Sequence, residues 1–210
     1  MRTILILLGL VTASYRPVWL QPNLPDTDYA VFTAALNYLS VCVDPGKAHR
    51  RGERLLIRTV TRLQDKHAFR FNFGKDQEKL AFLLEPASTF YTEPGWVAFL
   101  SSVDSAKFVS YTVQRPLNLA CRKTELWTTQ QDDVYFGSTA GEGHWGLLKK
   151  YPDYGGIVSL SSVVYATDAT KAVCYCSIVS DPKAGSGHLV FLERQNRQWV
   201  VVGNAILWVA

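Results

Sequence analysis

From Gly156 to Ala210 the chain is a series of β-branched and aromatic runs whose connections are too short for anything but hairpins. Ile157–Tyr165 (IVSLSSVVY) and Ala172–Val179 (AVCYCSIV) flank a turn at Ala166–Thr170. Pro and two Gly mark Ser180–Gly187 as a loop, followed by a strand at His188–Arg194 (HLVFLER), a turn at Gln195–Arg197 and a strand at Gln198–Val209. Runs of this kind between turn residues predict strands. A parallel crossover needs a dozen or more residues, so neighbours must pair antiparallel. In the last strand Trp199, Val201 and Gly203 share one face, and Val200, Val202 and Asn204 the other. Both faces begin apolar, which predicts a central strand covered on both sides, with Trp199 buried.

The rest of the chain must supply the cover. Tyr29, Phe32, Leu36 and Leu39 recur at helical spacing behind three N-cap candidates, Asp26, Thr27 and Asp28, predicting an amphipathic helix over Asp28–Ser40. Arg54–Leu63 reads as a strand that joins the meander as a fifth. Lys75–Glu85 reads as a helix ended by Pro86, and Trp96–Phe108 as another. Val109–Val113 and Lys123–Thr128 read as short strands, Thr129–Tyr135 as one or two helical turns, and His144–Tyr151 as a short helix stopped by Pro152. Helices first and strands last predict an α+β fold, N-terminal helices packed on a four- to five-stranded antiparallel meander, with the cystatin/NTF2-like cone as the nearest architecture. At 210 residues one domain suffices, over 28–210, behind an extended Pro-rich lead-in at 15–27.

Residues 1–14 (MRTILILLGLVTAS) place one Arg before the apolar run Ile4–Val11 and end in small residues. That order is a secretory signal peptide, with the mature chain beginning at Ser14 or Tyr15. The run is far short of the roughly 20 apolar residues a membrane span needs, and no later segment is a candidate. The expected location is therefore secreted or periplasmic. A net charge of +4 and 48% hydrophobic content describe an ordinary globular chain. The basic run Lys47–Arg54 (KAHRRGER) has no interleaved aromatic stacking set, so a nucleic-acid partner is not expected.

Several stretches together, Lys150-Tyr151-Pro152, Gly156–Ser161, Lys171-Ala172-Val173, Gly185-Ser186-Gly187, Leu192-Glu193-Arg194, Trp199-Val200-Val201 and Leu207-Trp208-Val209, carry a resemblance over residues 145–210. The chain resembles a group of small exported bacterial proteins of unknown function with this C-terminal signature. The resemblance implies export and the sheet, and no activity. The group's cysteines beside the loop glycines are absent from Ser180–Gly187.

Cys42, Cys121, Cys174 and Cys176 form an even set, which an exported chain can oxidise. Cys174 and Cys176 share a strand face with Cα atoms about 6.6 Å apart, badly directed for a mutual bridge. If oxidised, each is expected to pair with Cys42 or Cys121. No C-x-x-C is present, and no metal or other cofactor is expected.

Gly141-Glu142-Gly143-His144-Trp145-Gly146 fits G-x-G-x-x-G but lacks the βαβ context that phosphate binding requires. His49, His67, His144 and His188 are scattered, with neither H-E-x-x-H nor G-x-S-x-G. The adjacent Asp132 and Asp133 diverge on a helix. His188, at a strand start, reads as a hydrogen-bonded edge residue. The expected site is the surface of His144, Trp145, Tyr151 and Tyr154, where aromatics and a histidine stand among glycines that let a ligand approach the backbone. The expected function is a non-enzymatic ligand- or protein-binding domain. The alternative is an exported hydrolase-like enzyme using His144 and Glu142.

Overall fold

The computed structural model describes residues 22–40, 52–61, 83–84, 89–103, 107–137 and 141–210. The expected signal peptide, most of the lead-in, Cys42 and all but the end of the Lys75–Glu85 helix lie outside them. In chain order the elements are α1 (Asp26–Leu39), β1 (Arg54–Arg58), a 3-10 turn (Phe90–Thr92), α2 (Pro94–Ser101), β2 (Lys123–Trp127), α3 (Thr129–Phe136), α4 (Gly143–Lys150), β3 (Tyr154–Leu160), β4 (Val164–Tyr165), β5 (Lys171–Asp181), β6 (Ala184–Gln195) and β7 (Gln198–Val209). The fold is α+β around one seven-stranded, mostly antiparallel sheet in the order β2-β1-β3-β5-β6-β7, with β4 beside β5.

The meander β3-β5-β6-β7 is antiparallel throughout. The first strand does join it, but parallel: β1 pairs parallel with β3 and with β2. The connections from β1 to β2 and from β2 to β3 are long and carry helices, which makes this possible where short turns would not. Val109–Val113 forms no strand; Thr112 only bridges Val60 and Asn23. The helix expected over Trp96–Phe108 is shifted, starting at Pro94 and closing at Ser101.

Ser180–Gly187 is not a loop. Asp181 pairs with Ala184, so Pro182-Lys183 is a two-residue turn and both strands run on through the glycines. The glycines serve packing. A Cβ on Gly187 would lie 2.0 Å from Trp208 Nε1 and 2.7 Å from the Tyr175 hydroxyl, so Trp208 fills the place of the missing side chain. The Asn196-Arg197 turn has φ of 50° and 67°, the type I′ geometry whose twist suits a two-residue hairpin.

β7 lies at an edge of the sheet, not at its centre, although both of its faces are covered. Apolar residues on both faces report cover above and below the sheet, and say nothing of a lateral neighbour. On the first face, α1 buries Val31, Phe32, Ala35 and Leu36 against Leu55, Ile57, Val158, Leu160, Cys174, Val190 and Leu192. On the second, Phe90, Trp96, Phe99 and Leu100 cover Val173, Tyr175, Leu189 and Phe191. Beside them Leu147 of α4 covers Leu56, Trp127, Tyr154 and Ile157. α1 begins at Asp26 behind Pro25 without a side-chain cap, and Asp28 is instead buried inside it, accepting a hydrogen bond from the Tyr165 hydroxyl at 2.8 Å.

α3 is fixed by its first turn. Thr128 accepts from the Gln131 backbone N–H while the Gln131 side chain accepts from that of Thr128, a capping box. One turn in, Asp132 accepts from Arg58 Nη2 at 2.9 Å and from Trp127 Nε1 at 2.8 Å. Arg58 Nη1 also donates to Ser159 Oγ at 2.9 Å, so a single ion pair joins α3 to β1, β2 and β3.

Candidate functional site

The four residues of the expected site do not share one surface. His144 and Tyr154 are buried and joined to each other, with His144 Nδ1 2.9 Å from the Tyr154 hydroxyl. That hydroxyl donates its one proton to Val179 O at 3.1 Å. It must therefore accept from His144, which puts the imidazole proton on Nδ1. Phe136 closes over the imidazole edge-on, centroids 5.0 Å apart. Tyr151 is half-buried, with the Arg54 guanidinium 5.4 Å and the Lys150 ammonium 5.2 Å from its ring centroid. Trp145 alone projects into solvent, 71% exposed. Glu142 is paired with Lys149 at 3.5 Å, and no hydrogen bond links it to His144.

Burial pushes the His144 imidazole below its ordinary value, with Arg58 adding a smaller push and the Asp181 carboxylate opposing it. In the unfolded chain the same ring titrates near 6.5. The unfolded state thus binds the extra proton first. The contribution of His144 to stability is present above about pH 6.5 and is lost as pH falls below it. Urea titrations of the wild type and His144→Gln between pH 5.0 and 7.5 should show a steeper acid-side loss in the wild type. Parallel curves would mean that His144 is hydrated in the folded state.

Of the four cysteines, Cys121 is disulfide-bonded, while Cys174 and Cys176 are free thiols with sulfurs 4.0 Å apart. Both free thiols are fully buried under α1, and the Cys176 contact together with burial raises the Cys174 thiol well above its ordinary value. They are core residues.

The arrangement best suited to a ligand lies elsewhere. One flank of α1 (Asp26, Tyr29, Ala30, Thr33, Ala34, Asn37) floors a groove of about 860 Å³, walled by Arg115–Asn118 and by Arg197, Gln198 and Trp199. The floor residues recur every three or four positions, so they form one helical stripe. Three hydrogen bonds to two side chains hold the first wall to this flank. The Tyr29 hydroxyl accepts from the backbone N–H of Gln114 and Arg115 at 3.0 and 3.3 Å, and Asn37 Oδ1 accepts from that of Ala120 at 2.9 Å. The Arg115 guanidinium sits 4.3 Å from the Tyr29 centroid and pairs with Asp26 at 2.6 Å. On the other wall Trp199 is half-buried against Tyr165, with centroids 5.8 Å apart. Its predicted full burial is therefore corrected. As an edge-strand residue beside the hairpin turn, it keeps one side open to the groove. Arg197 has no ion-pair partner among the described residues. The groove thus offers an indole face, amide and hydroxyl groups, and an uncommitted cation.

A second arrangement lies on β6 and β7. His188 Nδ1 is 3.0 Å from Asn204 Oδ1, and Nε2 is 2.7 Å from Ser186 Oγ. An amide oxygen only accepts, so Nδ1 carries a proton, and in the neutral ring Nε2 accepts from the Ser186 hydroxyl. This is the order of nucleophile, base and orienting group. Sequence reasoning placed His188 at an edge and missed both partners. The signal was Ser-x-His on one strand, which points both side chains to one face.

No family model matches the chain, and the comparisons found no match among curated proteins or solved structures. Among the described residues no helix is long and apolar enough to cross a membrane.

Proposed function

We propose that this chain is an exported, non-enzymatic binding domain whose ligand site is the groove between α1, residues 115–118 and the start of β7. The observation that carries this reading is the groove itself, with Trp199 open on one side and Arg197 uncommitted at its rim. Rigid aromatic surface beside a few convergent polar groups is the usual make-up of a ligand site. Export is supported by the order of residues 1–14, one Arg before an apolar run that ends in small residues. N-terminal sequencing of the mature chain decides that part. The cone-like likeness to cystatin and NTF2-like folds belongs to the same reading. It is supported by α1 lying across one face of the meander, with the parallel β1 and β2 as an addition.

A thermal-shift screen of small acids, sugars and short peptides tests the site. A compound that binds should lose at least tenfold in affinity with Trp199→Ala or Arg197→Ala and keep it with Trp145→Ala. The opposite pattern moves the site to α4.

The Ser186–His188–Asn204 relay favours a second reading, an acyl hydrolase built on these residues instead of His144 and Glu142. A fluorophosphonate probe should then label Ser186 and fail with His188→Ala. Absence of labelling in the wild type removes this reading.

A further inference from the structure

The start of β7 belongs both to the groove and to what is, among the described residues, an edge of the sheet. Gln198 and Trp199 line the groove, and β7 pairs on one side with β6. Among the described residues its other side meets only an isolated bridge, Leu84 to Ala205, near the far end. The near end is exposed. Val200 is 40% exposed, whereas Val190, Phe191 and Leu192 on neighbouring β6 are fully buried. An edge strand leaves alternate N–H and C=O groups pointing outward without partners. From Gln198 to Val201 the pairing with β6 is regular, and the first register shift comes only beyond Val201. Among the described residues nothing pairs with the outer side of this segment, which leaves it fit to accept another strand.

Its surroundings are basic. Arg197 occupies the second turn position at φ 67°, where side chains other than Asn, Asp and Gly are uncommon. Arg194 stands opposite Trp199 across the hairpin, and Arg115 lines the facing wall. Neither Arg194 nor Arg197 has an ion-pair partner among the described residues. The nearest acid of the groove, Asp26, is already held by Arg115 at 2.6 Å. Placed among these exposed groups, a carboxylate would gain a charge-assisted hydrogen bond, whereas an incoming lysine would meet like charge.

We propose that the ligand is an extended, acidic peptide segment. It adds to β7 along Gln198–Val201 and sends alternate side chains into the α1 groove, with a carboxylate on Arg197. Main-chain pairing supplies affinity in this mode, and the side-chain pockets supply selection. The proposal rests on the groove being the ligand site and goes beyond it in naming the peptide's charge and conformation.

The test uses a fluorescein-labelled peptide of alternating valine and glutamate, read by anisotropy with the full mature chain. Three companions accompany it: the valine–lysine analogue and two forms N-methylated on one or the other set of alternate amides. The acidic peptide should bind, and the lysine analogue should be at least tenfold weaker. One methylated form should lose at least tenfold while the other is nearly unchanged, because only one set of amides faces β7. Arg197→Gln should weaken the acidic peptide about tenfold and bring it closer to the lysine analogue, with an unchanged unfolding midpoint. Equal binding of both methylated forms overturns strand addition but leaves the groove standing if Arg197→Gln and Trp199→Ala still weaken binding. Absence of peptide binding overturns the proposal. The groove reading then falls as well only if small-molecule fragments also fail to perturb the Trp199 indole.

Discussion

Replacing Trp96 with alanine should destabilise the protein by about 3–5 kcal/mol, the usual range for truncating a fully buried tryptophan. Trp96 of α2 has no exposed surface and stands at the centre of an aromatic cluster. Its ring meets Phe90 edge-on at 4.7 Å, Phe99 at 5.8 Å and Phe191 at 6.3 Å. These contacts hold α2 and the Phe90–Thr92 turn onto β5 and β6, so the cavity left behind opens between two layers and cannot collapse easily. The Lys171 ammonium, 5.8 Å from the indole centroid, would also lose its contact with the ring. The urea midpoint measures the effect. Trp145→Ala, at a site 71% exposed, should shift it by no more than about 0.5 kcal/mol. Similar losses for the two variants would mean that the second-face layer is misassigned.

Asp132→Ala should cost about 3 kcal/mol, because removing one member of a largely desolvated ion pair leaves the other charge uncompensated. Among the described residues Arg58 would keep only Ser159 as a hydrogen-bond partner, and the Trp127 indole N–H would lose Asp132 as its acceptor. The side chains of Arg58 and Asp132 are 18% and 17% exposed, so solvent restores little. Adding Arg58→Met to Asp132→Ala should recover more than half of the loss, since an apolar side chain of similar length removes the stranded charge. If the double variant is as unstable as the sum of the two single ones, the pair is not coupled and α3 is held in some other way.

These two sites mark the limits of what the sequence discloses. The four-strand meander was legible because its β-branched runs and short turns permit only antiparallel neighbours, and β7 begins and ends where its pattern does, at Gln198 and Val209. The glycines before His188 misled because a Gly in a strand and a Gly in a loop look alike until the residue that fills the gap, Trp208, is known. The parallel placement of β1 was illegible because its long connections allow either direction. The His144–Tyr154 pair illustrates the same limit at the site. A histidine and a tyrosine among glycines suggested a surface, whereas ten residues of chain fold them against each other inside the protein. The groove was half legible. Asp26, Tyr29, Thr33 and Asn37 follow helical spacing, but Arg115 and Trp199 reach them only through tertiary contacts.

Chemical-shift mapping of the isotopically labelled protein against a fragment library tests the location of the ligand site most directly. The perturbed resonances of the tightest fragments should cluster on Tyr29, Thr33, Arg115, Asn118, Arg197 and the Trp199 indole. Clustering on Val134, Phe136 and Trp145, with the Trp199 indole unmoved, would contradict the account.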